Sequence, residues 1–330
     1  MIKTLPPKYR VKKKTQKTST GKIWAVTEPV HVLRCLRELQ PKNKKLVLIS
    51  VIAIALALNA YTFSLAYPET FKPMSPIYAR DFSAYYIGEW RLFHNPTTIY
   101  IGGNQPGDYY IPPNVQTFKY TPSFLVFFAP FMSLSYQDAL NVFDILQFIS
   151  IFALAFFVYK IVKDKKLVGA AVVAFIVLVA FQPGYYWGYA QANAHIIQTS
   201  LIVGALYFGF SKKPLLSALL FAIGVFDPRG ALLALPLLLW YNRQKLLKFG
   251  VDIVAFLAAL NLPFFFYYDI GLNFLRTEVN GDIVSQIYSY DLVPMIAVAA
   301  LTILEAATII EKRINLGFFK WSKISKANTS

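Results

Sequence analysis

Apolar stretches of roughly twenty residues recur almost without pause between Leu46 and Ile310. Each is about the length a helix needs to cross a hydrocarbon layer of ~30 Å. With 56% hydrophobic and 16% aromatic residues, the chain has too little polar surface for a water-soluble domain of this size. Inside lipid every backbone N–H and C=O must be bonded within the protein, and a segment this long meets that demand as a helix. The fold expected is therefore all-α, a polytopic transmembrane helical bundle of about eight spans. They fall near Leu46–Tyr67, Leu140–Ile161, Leu167–Phe181, Ala194–Phe210, Leu215–Phe226, Ala231–Tyr241, Phe249–Tyr267 and Leu292–Ile310. A basic segment, 1–45, precedes this domain (46–310), and a basic tail, 311–330, follows it. The stretches Leu215–Phe226 and Ala231–Tyr241 are short for spans unless they extend through their turns.

Charge orients the bundle. The formal net charge is +16, but 27 of the 33 Lys and Arg residues fall in five places: residues 1–45, Lys160–Lys166, Lys212-Lys213, Arg243–Lys248 and the stretch after Ile310. All five share one side of the membrane in the eight-span reading. Cytoplasmic segments are enriched in Lys and Arg, so this side and both termini are expected in the cytoplasm, with the cell membrane as the location. The basic surplus suits anionic lipid headgroups, and nucleic acid is not needed to explain it. Cys35 is the only cysteine and the three histidines are scattered, so neither an internal disulfide nor a metal cluster is expected. Residues 1–22 lack periodicity. Val32, Leu33, Leu36 and Leu39 recur at helical spacing, which suits a surface helix or a plain linker equally.

The long segment from Pro68 to about Gln137 faces the other side. It is rich in Tyr, Pro and Gly and begins, after the first span, with Asp81 in Arg80-Asp81-Phe82. Its apolar run Phe124–Leu134 is too short to cross and reads as partly embedded or re-entrant. Asp81 opens the run Asp-Phe-Ser-Ala-Tyr-Tyr, which ends at Tyr86. Phe118-Lys119-Tyr120-Thr121-Pro122 follows, then Ala129-Pro130, then Gln191-Ala192-Asn193 at the head of a span. Asp227-Pro228-Arg229 and Leu235-Pro236-Leu237 complete the order.

In that order and on that membrane side, these motifs resemble the integral membrane glycosyltransferases of the GT-C superfamily. Within it the pattern is similar to the family 87 polyprenyl-phosphate-mannose-dependent mannosyltransferases over roughly residues 45–310. The resemblance implies a GT-C bundle with a long first external loop. It also implies transfer of a hexose, mannose in that family, from a polyprenyl or dolichyl phosphate to a glycan or glycolipid acceptor. By the same resemblance Asp81 is the catalytic base; Glu89, about two turns further on and near the same face if this segment is helical, is the backup acid. A lipid phosphate is a good leaving group, so one carboxylate suffices and inversion is expected. The leaving phosphate needs cations, and Arg229, Lys119, Arg80 and Arg276 are the candidates on that side. Tyr85, Tyr86, Gln191, Asn193 and Trp187 are candidates for sugar and acceptor contacts. Asn193 equally suits a helix cap, and His195 suits a packed helix residue.

No Gly-rich phosphate loop, His-Glu-x-x-His, Gly-x-Ser-x-Gly or Asp-x-Asp pair is present, so no cofactor and no metal are expected. Two other readings of the pattern stay open: a transporter or flippase for a lipid-linked sugar, and a non-catalytic membrane assembly protein.

Overall fold

The computed structural model describes residues 41–70, 80–109, 117–180, 186, 188–267, 269–280 and 292–327. The possible surface helix over Val30–Leu39 and the aromatic Trp187 lie outside them. Among the described residues the elements are helices and tight helical turns, with no strand, as an apolar chain that must satisfy its own backbone requires.

Helix α1 spans Pro41–Thr70, 30 residues, and α2 spans Arg80–His94. A six-residue α3, Ser123–Phe128, runs into a tight turn over Ala129–Ser133. Long α4, Tyr136–Val162, follows; the Ser135 hydroxyl accepts the amide N–H of Asp138 at its start. Then come α5, Leu167–Phe175, which widens over Ile176–Ala180, α6, His195–Phe210, and α7, Pro214–Gly224. A five-residue α8, Pro228–Leu232, precedes α9, Leu235–Asn242. The chain ends with α10, Leu246–Tyr267, α11, Ile270–Asn280, and α12, Leu292–Ala327.

Among the described residues four helical stretches are long and apolar enough to cross a membrane: Asn43–Pro68, Tyr136–Val162, Leu235–Phe266 and Pro294–Glu311. The other apolar helices, among them α6 and α7, are shorter. Of the two short stretches expected over 215–241, the first stays short, while the second runs through a tight helical turn at Arg243–Lys245 into α10, so that Leu235–Phe266 is one helical stretch where two spans were expected. α7 has 11 residues and α9 has 8, because Pro214, Pro228 and Pro236 each open a helix where the ring's missing N–H is tolerated, and so break the stretch into pieces. The run 124–134 likewise forms one short helix and a turn. Its Phe124, Leu125 and Phe128 point inward while Val126 and Phe127 stay exposed. Helix α12 continues past Ile310 without a break, so the expected tail begins inside it.

Helix α6 starts beside α2 and ends at Lys212-Lys213, the basic end. At ~1.5 Å per residue its 16 residues climb about 24 Å, whereas the 30 of α1 climb about 45 Å. Helix α6 is thus about half as long as α1. Helix α1 packs on α4 and α5, and α6 packs on α4, α7 and α12. The Tyr67 hydroxyl donates to Asn141 Oδ1, 3.0 Å, tying the far end of α1 to the start of α4. At the basic end Lys165 pairs with Glu305, joining the α4–α5 turn to α12. Around the head of α6 lies the aromatic core, with Phe82, Tyr85, Phe118, Phe124, Phe128, Phe143 and Phe226 all buried.

Candidate active site

Asp81 sits in the first turn of α2, where a carboxylate is favoured by the exposed N–H groups of the helix end. Asn193 Nδ2 donates to Asp81 Oδ2 at 2.6 Å, across 112 residues of chain. The other end of the same amide, Oδ1, accepts the His195 N–H at 2.8 Å. A carboxylate only accepts and a backbone N–H only donates, so the two contacts fix which way the amide faces. Asn193 is thus both a helix-end partner and the residue that holds Asp81. The turn that aims it strains the chain, since Ala192 adopts φ +50. Left-handed geometry costs an L-residue roughly 1–2 kcal/mol, and such strain tends to collect at functional sites.

One turn along α2, Tyr85 is fully buried. Its hydroxyl accepts the Ala194 N–H, 3.1 Å, and donates to the Tyr120 hydroxyl, 3.0 Å. Burial first, then the nearby charge of Asp81, raises the Tyr85 phenol well above its ordinary range. Burial also raises Tyr120, helped by Tyr85, Asp81 and Asp227. Both phenols stay protonated and can serve as donors. Asp227 is fully buried, its Oδ2 3.4 Å from Nε2 of buried His195, ion-pair range but long for a hydrogen bond. Gln198 Nε2 donates to the carbonyls of Gly224, 2.9 Å, and Asp227, 2.5 Å, which holds the turn after α7 against α6.

Two segments carrying candidate cations meet here, because the Thr121 N–H donates to the Phe226 carbonyl, 2.8 Å. Lys119 lies two residues from one end of that bond and is half-buried; Arg229 lies three residues from the other, in α8. The side chains of Arg229 and Arg80 lie outside the described residues. Arg276 is exposed on α11 with Asn273 beside it, 3.5 Å. Gln191 is buried in the turn before α6, and Tyr86 turns its hydroxyl to the Leu134 carbonyl, 2.9 Å. The structure therefore brings Asp81, Asn193 and Tyr85 into one cluster and adds Tyr120, His195 and Asp227.

Sequence reasoning did not select Asp227 or Tyr120. Both stood in quoted motifs, but as loop punctuation and an aromatic; only their shared proximity to Asp81 gives them a role. Asp144, buried in α4 and bonded to Gln147, was also unselected.

Glu89 differs from Asp81. It is fully buried, and neither carboxylate oxygen has a hydrogen bond among the described residues. Burial raises its carboxyl from 4.5 to about 8, so it is neutral near pH 7. A folded-state value above the unfolded one means its contribution is fully present below about pH 4.5 and is lost as pH rises through about 8. Wild-type thermal stability is expected to decline across that window, while Glu89→Gln, which has no proton to lose, declines less. The two should diverge by on the order of a few kcal/mol on the alkaline side. Parallel melting-temperature curves would show that Glu89 is hydrated or paired.

A membrane-embedded helical bundle with a held carboxylate and a cluster of hydroxyl and amide groups at one end suits group transfer at the membrane surface. The sequence profile of glycosyltransferase family 87 matches residues 118–308, more than half of the chain. The chain belongs to glycosyltransferase family 87 and is a membrane glycosyltransferase. No curated protein matches the chain, and no solved structure does. The matched region contains Tyr120, Asn193, His195 and Asp227 but begins after Asp81, so the role of Asp81 rests on its contact with Asn193.

Proposed function

We propose that the enzyme moves a hexose, mannose by its family resemblance, from a polyprenyl or dolichyl phosphate to a lipid-linked or surface glycan acceptor. The observation that carries this reading is the Asp81–Asn193 contact beside the Tyr85–Tyr120 pair. Asp81 keeps part of its surface open, whereas Asp227 and Glu89 are closed to a substrate. Asp81 then takes the proton of the attacking hydroxyl as that oxygen bonds to the anomeric carbon. The bond from that carbon to the phosphate oxygen breaks, the electron pair leaves with the lipid phosphate, and the anomeric centre inverts. Lys119 and Arg229 are the cations we assign to the leaving phosphate, a reading supported by the pairing of their segments through Thr121 and Phe226, and Gln191 and Trp187 remain candidates for sugar contacts. The reading sets this site on the external face of the cell membrane, with both termini cytoplasmic.

A groove supports the lipid nature of the donor. An apolar cavity of about 170 Å³ runs beside the cluster, lined by Phe124, Phe128, Phe143, Leu201 and Phe226 among others. Phe226 adjoins Asp227, and Phe124 packs edge-on against Tyr85, 4.9 Å. A prenyl chain threaded there would lie against Phe124 and Phe226, beside the Tyr85–Tyr120 pair. Filling the groove by Leu201→Trp is expected to raise KM for a polyprenyl-phosphate donor severalfold with less change in kcat, the signature of lost ground-state binding. An unchanged KM would place the chain elsewhere.

The test of the function is transfer from radiolabelled polyprenyl-phosphate mannose to a mixed acceptor lipid extract by the purified, reconstituted enzyme. Labelled glycolipid with inverted configuration supports it. Movement of intact sugar lipid across the bilayer without bond cleavage would favour a flippase.

A further inference from the structure

At the basic end of the bundle, opposite Asp81, the start of α1 and the α4–α5 turn enclose a cavity of about 470 Å³. Four ammonium groups line it, Lys44, Lys45, Lys163 and Lys165, against a single carboxylate, Asp164. Lys165 is engaged with Glu305. Lys44, Lys45 and Lys163 form no ion pair among the described residues, whereas Lys166 pairs with Glu311 and Lys248 with Asp252, 3.5 Å. Three like charges around one cavity repel each other, and an anion between them would relieve that repulsion.

The floor of the cavity is apolar and built in: Leu48, Leu167 and Ala170 line it and are themselves buried. On the same two helices Leu46 and Ile49 of α1 and Val168 and Val172 of α5 are exposed, apolar surface on the helices that border the cavity. A soluble anion has no use for that apolar surface, while acyl chains do. We propose that this cavity is a specific site for the phosphate of an anionic phospholipid, its headgroup among Lys44, Lys45 and Lys163 and its chains along Leu46, Ile49, Val168 and Val172. Basic pockets between helices on the cytoplasmic side are suited to such headgroups. The site is separate from the donor phosphate site and does not depend on the reaction assigned above.

The full-length protein, purified and placed in bilayer discs, tests this. Wild type is expected to retain phosphatidylglycerol in preference to phosphatidylcholine by native mass spectrometry. Lys44→Gln/Lys45→Gln/Lys163→Gln is expected to lose that preference, at about fivefold per lysine and so on the order of a hundredfold. Equal retention by both overturns the proposal. A second readout needs no variant: phosphatidylglycerol in the disc should protect Lys44, Lys45 and Lys163 of wild type from acetylation but leave Lys248 as reactive as in phosphatidylcholine. Absence of that selective protection overturns the proposal even if the triple variant does not fold. Protection by inorganic phosphate but not by phosphatidylglycerol overturns the lipid assignment and makes the cavity a site for soluble phosphate.

Discussion

Asp81→Asn is expected to abolish sugar transfer, lowering kcat by about 10²–10⁴, the range a positioned general base supplies. The substitution changes almost nothing else. An asparagine oxygen still accepts the Asn193 amide N–H that now reaches Oδ2 at 2.6 Å, so the junction between α2 and the head of α6 survives. Donor affinity should stay within a few-fold of wild type, because a base acts on the acceptor hydroxyl in the transition state and not on the lipid phosphate. Asp227→Asn provides the comparison. That carboxylate is fully buried and faces His195, so its loss is expected to lower stability along with activity. Full transfer by Asp81→Asn would make Asp81 a structural acid that anchors Asn193. A kcat lost together with donor binding and melting temperature would point the same way.

Arg91→Ala is expected to cost about 3–5 kcal/mol of stability, the usual penalty for removing one partner of a buried ion pair. Arg91 is 1% exposed, and its guanidinium spends its donors inside the protein. Nε and Nη2 hold the two oxygens of Asp108 at 3.0 and 2.6 Å. Nη1 donates to the carbonyls of Thr98 and Ile101, and Nη2 also reaches Gly103, 2.6 Å. The planar fork thus staples the loop 95–109 to α2, which carries Asp81. Truncation leaves a carboxylate and several carbonyls unsatisfied together. Arg91→Lys should recover only part of the loss, since an ammonium cannot reproduce the bidentate geometry. Burial opposes ionisation of Asp108, but the hydrogen bonds from Arg91 and Gln105 and the Arg91 charge outweigh it and hold the carboxyl below its ordinary range. The staple is therefore present above the ordinary carboxylate range and is lost as pH falls below it. Denaturant unfolding of wild type and both variants at neutral pH checks the magnitude. A loss below about 1 kcal/mol would mean that the loop is not held through Arg91.

Arg91 also shows where reading the sequence stops. In the sequence Arg91 carries no signal that sets it apart from the other basic residues of that side, and it was not among the candidates for any role. Burial and five acceptors make it the clamp of a loop. Glu305 is similar: Arg313 is near it in sequence, but it pairs with Lys165 across 140 residues. Ion-pair partners are set by which helices pack side by side, and hydropathy does not say which do.

The helical, membrane-spanning class followed from apolar runs and the distribution of Lys and Arg, because lipid admits few ways to satisfy a backbone and charge resists crossing it. The order of short motifs was enough for the family. Span lengths were less legible: proline positions were visible, but whether a proline kinks a helix or ends it depends on the neighbours that fill the gap. The site needed the tertiary structure altogether. Asp81, Asn193, Tyr120 and Asp227 come from four separate segments, and their joint action is Coulombic and hydrogen-bonded, so it depends on distances that only the packing of those segments sets. The sequence by itself determined that this chain is a membrane-spanning helical bundle with an acid on its sparsely basic side. Packing alone decided which acid is held half-open by an amide, which is closed away beside a histidine, and which lies buried and protonated.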